Sequence, residues 1–193
     1  MPDERPKVST ILDSALEILR DHGDHGLSMR KVAERAGISL GHLQHYFPTK
    51  NDVLEGLVGS HFEVCTAALR EHVERETATD ARRVAAGLVD LGFAYVRDED
   101  TCRVFRELWA LSSRNAEVRE HLERYYREYS SMLVAFLRPV ARSRTAARRA
   151  VALLLPWFDG YSVTASSLDL DEAAMARQLT GLVVAALDPG KSA

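Results

Sequence analysis

The chain has only two cysteines among its 193 residues, Cys65 and Cys102, and they match neither a disulfide framework nor a Cys-x-x-Cys metal motif. It also lacks any run approaching the roughly 20 apolar residues that a membrane-spanning helix needs. Its first residues, Met-Pro-Asp-Glu-Arg-Pro-Lys, lack the apolar core of a signal peptide. These absences predict a cytoplasmic protein with reduced cysteines and no membrane partner.

Motifs of common catalytic and nucleotide-binding sites are absent as well. The sequence contains no G-x-G-x-x-G, P-loop, G-x-S-x-G or H-E-x-x-H motif. His22 and His25, like His42 and His45, are spaced so that two histidines could share a metal, but no cysteine or carboxylate set completes a tetrahedral site beside either pair. We therefore expect no enzymatic activity, no cofactor and no metal centre.

Basic residues are not in excess, because 25 Lys and Arg stand against 28 Asp and Glu and the formal net charge is -3. A protein that binds nucleic acid over its whole surface would be basic, so any contact with DNA must be local. Segment 28–50 holds four basic residues and one acidic residue, which gives it a formal charge of +3. This segment is the candidate for such a contact.

Strand signals are nearly absent, since no run alternates apolar and polar residues between turn dipeptides. Apolar residues recur instead at three- and four-residue spacing, which predicts an all-α fold. The predicted helices cover about 7–22, 29–36, 40–46, 49–76, 80–97, 101–112, 116–142, 145–168 and 171–187. No linker interrupts them, so we expect an N-terminal three-helix helix-turn-helix domain over 1–50, joined directly to a helical ligand-binding and dimerisation domain over 51–193.

The two short helices within segment 28–50 are joined by the tight turn 36–39. Ser28 and Ser39 precede them and supply the side-chain oxygens that cap free helix amides. Leu40, Leu43 and Phe47 are predicted to face inward, against the first helix. The opposite side of helix 40–46 is polar, which is typical of a helix that reads a DNA groove.

The stretches Ser-Met-Arg-Lys-Val-Ala at 28–33, Ala-Gly-Ile-Ser-Leu-Gly-His-Leu at 36–43 and Tyr-Phe-Pro-Thr-Lys at 46–50 resemble the DNA-binding signature of the TetR family. The resemblance spans about residues 8–57 and implies a DNA-binding transcriptional regulator. One position departs from the pattern: Gln44 stands where the family commonly has a phosphate-contacting tyrosine. A glutamine can instead hydrogen-bond an adenine edge.

Base recognition is assigned to His42, Gln44 and His45, and Gly41 is expected to let the backbone approach the DNA. Lys50 and the helix N-termini capped by Ser28 and Thr49 are expected to bind phosphates, because helix N-termini favour anions. Phosphate or sugar contacts are also assigned to Arg30, Ser39 and Tyr46. Arg35 is expected to be a solvated surface charge.

A single helix-turn-helix reads only about half a turn of DNA, and dimers place two reading helices roughly 34 Å apart. The apolar stripe of helix 171–187 and the apolar run 151–158 in the preceding helix predict a four-helix bundle formed by two subunits. The predicted dimerisation residues are Trp157, Gly160, Met175, Leu179, Leu182, Val183 and Ala186.

The stretches Trp-Phe-Asp-Gly-Tyr at 157–161 and Phe-Arg-Glu-Leu-Trp at 105–109 resemble a TetR subgroup with a betaine-regulator-like C-terminal domain. This resemblance implies a pocket for a small molecule without naming the molecule. Aromatic side chains are the candidates to line it, although most aromatics at helical spacing are core residues. The candidates are Phe62, Phe93, Phe105, Trp109, Tyr126, Tyr129, Trp157 and Tyr161.

Together these features predict a homodimeric repressor that binds a palindromic double-stranded DNA operator and is released by an unknown small-molecule effector. Two alternatives stay open. The chain could be an all-α ligand-binding protein whose N-terminal helices merely pack together. It could also be a redox-sensing regulator that uses Cys65 and Cys102, which would need an exposed thiol of low pKa.

Overall fold

The computed structural model describes residues 5–75, 80–169 and 171–188, and side chains from residue 8 onward. Within these ranges every regular element is helical, which confirms the all-α prediction. The elements are α1 (Arg5–Gly26), α2 (Met29–Arg35), α3 (Leu40–Tyr46), α4 (Lys50–Arg75), α5 (Ala81–Arg97), α6 (Glu99–Ser112), α7 (Ala116–Leu137), α8 (Arg144–Thr164), a single 3-10 turn (Ala165–Ser167) and α9 (Glu172–Leu187). Among the described residues, no helix combines the length and the apolar character that a membrane span requires.

Polar side chains determine where most of these helices begin. Ser28, Ser39, Ser143 and Asp171 each accept a hydrogen bond from the backbone amide three residues later. Asp80 caps α5 in the same way, by accepting the amides of Arg82 and Arg83, the second and third residues of the helix. Each cap satisfies a helix amide that has no carbonyl partner within its helix, so the helices start close to their predicted positions.

Helix ends agree less well with the sequence prediction. The helix predicted to reach residue 142 ends at Leu137, because Pro139 has no amide to donate and disfavours helical geometry at Arg138. Gly23 breaks the first helix as expected, with φ 62° and ψ -169°, but a further helical turn continues to Gly26. The predicted end of the fourth helix, at residue 76, lies outside the described residues.

The chain divides into two compact units. The first takes Met1–Val64 and Asp100–Tyr125, and the second takes Cys65–Glu99 and Tyr126–Ala193, in the parts of those ranges that the structure describes. Helices α4 and α7 therefore each contribute residues to both units. The boundaries of these packing units differ from the predicted domain boundary at residue 50. That boundary concerns function and stays a prediction.

The first unit is built on a three-helix core. Ile11 and Leu19 of α1, Val32 of α2 and Leu43 of α3 are fully buried, so each helix contributes its apolar stripe. α4 joins this core through Gly56. A Cβ at that position would lie 2.9 Å from both a Leu12 methyl and the Phe47 ring, so glycine allows α4 to approach this closely.

The second unit packs α5 against α8 and α9. Phe93 of α5 lies at its centre, and its ring meets those of Trp157, Phe158 and Tyr161 edge-on at centroid distances of 5.3–5.6 Å. Three predicted pocket aromatics therefore form a core cluster here.

Two predicted dimerisation residues need correction. Leu179 and Val183 of α9 are only 2% and 0% exposed and belong to the core of their own chain. Their side chains hold α9 inside the second unit and offer no surface to a second copy. An apolar helical stripe indicates burial, and it does not tell an intramolecular partner from an intermolecular one.

Candidate nucleic-acid interface

The connection between α2 and α3 is a tight left-handed turn. Gly37 has φ 67°, a conformation that favours glycine. Its amide donates to the Glu34 carbonyl at 3.2 Å, and the Ile38 amide donates to the Ala33 carbonyl at 3.0 Å. These two bonds satisfy the carbonyls at the end of α2 and hold the short α3 in a defined direction.

α3 has one buried residue and one open face. Leu43 is fully buried and anchors the helix in the first unit. Ser39, Gly41, Gln44 and His45 are all exposed, as the sequence predicted. A Cβ at Gly41 would meet nothing within 4 Å, so the backbone there is open to an approaching molecule.

Three rings group at the C-terminal end of α3. Tyr46 lies with its ring centroid 5.5 Å from that of His42 and 5.6 Å from that of His45. His42 and Tyr46 are half-buried, whereas His45 is exposed. The three rings therefore form one group on α3, and each ring carries a polar atom that can form hydrogen bonds.

The start of α4 carries a reciprocal cap. The Thr49 amide and hydroxyl each donate to an Asp52 carboxylate oxygen at 2.7 Å, and the Asp52 amide donates back to the Thr49 hydroxyl at 3.2 Å. This geometry is a capping box, in which Thr49 and the acid three residues later cap each other. It also means that the Thr49 hydroxyl already has a partner within the protein.

Lys50 has an internal partner that the sequence did not indicate. Its Nζ donates to the Asp24 carbonyl at 2.9 Å and lies 2.7 Å from an Asp24 carboxylate oxygen. An ammonium has three N–H donors, so one remains for a phosphate. The contact ties the first residue of α4 to the last turn of α1.

The +3 charge of segment 28–50 is therefore partly compensated within the fold. Arg35 pairs with Glu17 at 2.7 Å and with Asp21 at 3.9 Å, so it is a paired surface charge. In the described part of the chain, Arg30 and Lys31 of α2 form no ion pair, and both are exposed. Lys31 was not among the predicted contacts, although its charge in the basic segment was a usable signal.

The predicted pocket aromatics do not form one group. Phe62, Phe105 and Trp109 belong to the first unit, where Phe62 stacks on Tyr125 and Phe105 stacks on His61, both at 5.3 Å. The other five belong to the second unit. Most of the eight are accounted for by packing against neighbouring rings.

A groove of about 580 Å³ lies in the second unit between α7 and α8. Of the eight predicted aromatics, only Tyr126 lines it. The lining residues are Tyr126, Arg127, Ser130, Ser131, Val134, Arg144, Arg148, Val151, Ala152, Leu155, Pro156 and Asp159. The cluster of arginines in 138–149 was the available sequence signal for this site.

Asp159 is the acidic residue among those that line the groove. Burial raises the pKa of Asp159 to about 6, and the hydrogen bond that the Tyr126 hydroxyl donates to its carboxylate at 2.7 Å acts in the opposite direction. Burial also raises the pKa of the nearby Tyr129 hydroxyl in the second unit. Asp159 therefore changes charge near neutral pH.

Neither cysteine offers an open thiol. Cys102 is buried and Cys65 is half-buried, which disfavours the redox alternative because a sensor thiol must be accessible. Among the described side chains, no group of three or more His, Cys, Asp or Glu residues could hold a metal ion.

A short polar helix that is anchored by one apolar residue, follows a left-handed turn and packs on a three-helix core is the arrangement of helix-turn-helix DNA-binding proteins. Residues 11–57 match the bacterial regulatory proteins of the tetR family, and residues 93–188 match the C-terminal domain of BetI-type transcriptional repressors. The chain belongs to the TetR family and is a DNA-binding transcriptional regulator rather than an enzyme.

Individual relatives agree with this assignment. The chain is 34% identical over 182 residues to an uncharacterized HTH-type transcriptional regulator in the dhlA 5' region of Xanthobacter autotrophicus, covering 94% of this chain and 90% of that protein. It is 29% identical over 154 residues to the HTH-type transcriptional regulator BetI of Burkholderia thailandensis, with 75% of each covered. Salmonella enterica GusR has the same fold, with a TM-score of 0.77, 23% identity and coverage of 97% and 98%.

Proposed function

We propose that the protein is a homodimeric repressor that binds a palindromic operator in the cytoplasm and is released by a small-molecule effector. The exposed face of α3 carries this proposal. Ser39, Gly41, Gln44 and His45 lie open on a helix whose position is held by Leu43 and by the Gly37 turn. Such a face can enter a major groove without any rearrangement of the fold.

The roles of the contacts follow from their chemistry. Gln44, His42 and His45 supply donors and acceptors for base edges. Arg30 and Lys31 are uncompensated cations and would bind phosphates together with the free Lys50 donor and the N-termini that Ser28 and Thr49 cap. Ser39 and Tyr46 would add neutral contacts to phosphate or sugar. In this proposal residues 1–50 bind DNA, and 51–193 serve dimerisation and ligand binding.

Dimerisation is supported by an unpartnered apolar surface on the last two helices. Val163 of α8 is 60% exposed and Leu182 of α9 is 55% exposed. A Cβ at Gly160 or at Gly181 would meet no atom within 4 Å, so a second backbone could approach both helices closely. With Trp157, Met175 and Ala186 half-buried beside them, these residues are the proposed four-helix interface.

Release requires a ligand that binds the DNA-free arrangement better than the DNA-bound one. α4 begins inside the DNA-binding motif at Lys50 and continues to Arg75 in the second unit, so a shift of this helix would be felt at the motif. A coupling of about 1–3 kcal/mol between the two sites is typical of such regulators.

Footprinting over the DNA upstream of its own gene tests the proposal. We expect a protected palindrome at moderate salt, and sedimentation should show a dimer. Replacing Leu182 by Glu should give monomers that bind the operator weakly, whereas the same change at the exposed Val64, in the first unit, should leave the dimer intact. The absence of a protected palindrome would reject the proposal.

A further inference from the structure

A hydrogen bond joins α7 and α8 at one end of the groove between them. Tyr126, near the middle of α7, donates to Asp159, near the end of α8, at 2.7 Å. The chain reverses direction between these helices, so α8 residues earlier than Asp159 lie opposite later residues of α7. Arg144 and Arg148, at the beginning of α8, therefore line the end of the groove away from the Tyr126–Asp159 pair.

Both of these arginines lack a compensating charge. Among the described residues, neither Arg144 nor Arg148 is in an ion pair, and both are exposed. They are four residues apart and so lie on the same side of α8. Arg144 also lies in the first turn of α8, where the helix dipole is positive and where cations are unfavourable. An anion bound between them would supply the missing countercharge and would interact favourably with the helix dipole.

The α8 side of the stretch between the two ends is apolar, whereas its α7 side carries Ser130 and Ser131 before Val134. Val134 of α7 and Val151 of α8 line it, followed by Ala152, Leu155 and Pro156. Tyr126 and Val134 are eight positions apart, which corresponds to about 12 Å along the α7 axis. A volume of about 580 Å³ lies within the range of small-molecule sites in proteins.

We propose that this groove binds an amphipathic anion, with its oxyanion head group on Arg144 and Arg148 and its apolar body along Val151 and Leu155 toward Pro156. The guanidinium groups supply the charge-assisted hydrogen bonds that carboxylates and phosphates accept. The site deepens the proposed function by naming a chemical class for the effector, and its role as effector site rests on that function. Binding of the anion in the groove does not depend on the proposed function.

Other small ligands fit the groove less well. A neutral apolar molecule would leave both arginines without a partner. A cation would face Arg127 as well as Arg144 and Arg148, and the single carboxylate of the groove already accepts from Tyr126. The combination of paired cations at one end and an apolar floor selects for molecules that carry both an anionic head and an apolar body.

Calorimetric titration of the full chain with decanoate tests the binding. We expect saturable binding of one decanoate per chain, with decanol and acetate each at least about tenfold weaker because each lacks one half of the required chemistry. Decyl phosphate in a parallel titration shows which oxyanion the site prefers. Equal affinity for decanol and decanoate, or no saturable binding of either decanoate or decyl phosphate, would overturn the proposal.

Matched variants separate this site from general electrostatic attraction. Arg149 is adjacent, exposed and outside the groove lining, so R149Q is the control for loss of one charge. R144Q and R148Q should each weaken decanoate binding about tenfold, and R149Q should change it less than about twofold. A152F should abolish binding by filling the exposed floor. Equal losses in R148Q and R149Q would show that no specific site exists.

Measurements of operator binding with and without decanoate distinguish the two proposals. If decanoate binds at Arg144 and Arg148 and the protein releases its operator, both proposals hold. If decanoate binds while no operator is found, the groove stands and the proposed function fails. If the protein holds its operator equally well when the groove is saturated, the site is not the effector site, and that part of the inference fails.

Discussion

Lys50 is bonded to a residue 26 positions earlier in the chain: its Nζ lies 2.9 Å from the Asp24 carbonyl and 2.7 Å from the Asp24 carboxylate. The contact joins α1 to the start of α4, beside the candidate DNA-binding surface. It holds the ammonium in place while leaving one N–H free. We therefore assign Asp24 a positioning role for a phosphate contact.

Replacing Asp24 by Asn or Ala should weaken operator binding by about three- to tenfold, because Lys50 would lose its carboxylate partner and keep only the Asp24 backbone carbonyl. Removal of an acidic residue near DNA would otherwise strengthen binding by reducing repulsion. Fluorescence anisotropy with a labelled operator at fixed salt measures the effect. Asp13→Asn, an exposed acid on α1, is the matched control and should bind as well as or better than the wild type. Tighter binding by both variants would contradict the positioning role.

Substitutions at Gly41 should weaken operator binding without lowering the free energy of unfolding. A Cβ there meets nothing within 4 Å in the free protein, and alanine favours helices over glycine by about 1 kcal/mol. Gly41→Ala should therefore raise the free energy of unfolding by up to about 1 kcal/mol, and Gly41→Val should leave it nearly unchanged. Both should weaken operator binding, valine more than alanine, because the side chain would lie between α3 and the DNA. Chemical denaturation and anisotropy give the two readouts. Full operator affinity in the valine variant would show that this part of α3 does not touch DNA.

Gln44 and Lys31 should respond differently to mutation. Gln44→Ala should reduce the preference for the operator over random DNA by about tenfold, with little change in salt dependence, since an amide that reads a base edge releases no counterion. Lys31→Gln should weaken binding to both DNAs and reduce the salt slope by about one. The measurement is affinity for both duplexes at several salt concentrations. Equal weakening of Gln44→Ala on the two duplexes would identify Gln44 as a backbone contact.

Local signals were sufficient to predict the helix-turn-helix. Ser39 caps the start of α3 and Pro48 follows its end, and the observed bounds Leu40–Tyr46 equal the predicted range 40–46. Its exposed face followed from the same spacing. The C-terminal half depended more on tertiary packing. The apolar stripe of α9 was predicted to form a dimer interface, but its members Leu179 and Val183 are buried in their own chain, and only helix packing reveals that.

Partnerships between distant residues could not be predicted either. Nothing near Lys50 in the sequence indicates Asp24, because the contact depends on how α1 and α4 cross. The groove between α7 and α8 arises in the same way, from two helices that meet through Tyr126 and Asp159. Spacing along one helix shows which residues share a face, and it does not show what that face meets.

The Tyr126–Asp159 pair should make stability depend on pH. The pKa of Asp159 is raised by burial to about 6 in the folded chain, from a model-peptide value of 3.8. An acid with a raised folded pKa favours the folded state while it is protonated, so this contribution is complete below about pH 4 and is lost as the pH rises through 6. The shift corresponds to a loss on the order of 3 kcal/mol when the group is fully ionised.

Asp159→Asn keeps an oxygen that can accept from Tyr126 and removes the charge that burial penalises. It should therefore be more stable than the wild type at pH 8, and the advantage should shrink toward pH 4, where Asp159 is itself neutral. Tyr126→Phe should be less stable than the wild type at pH 8. Loss of the O–H donor raises the pKa of Asp159 further and makes its ionised carboxylate costlier to bury. Urea denaturation of the three proteins at several pH values from 4 to 8 provides the comparison. If the Asn variant gave the same advantage at pH 4 as at pH 8, its effect would come from packing, and ionisation of Asp159 would play no part in stability.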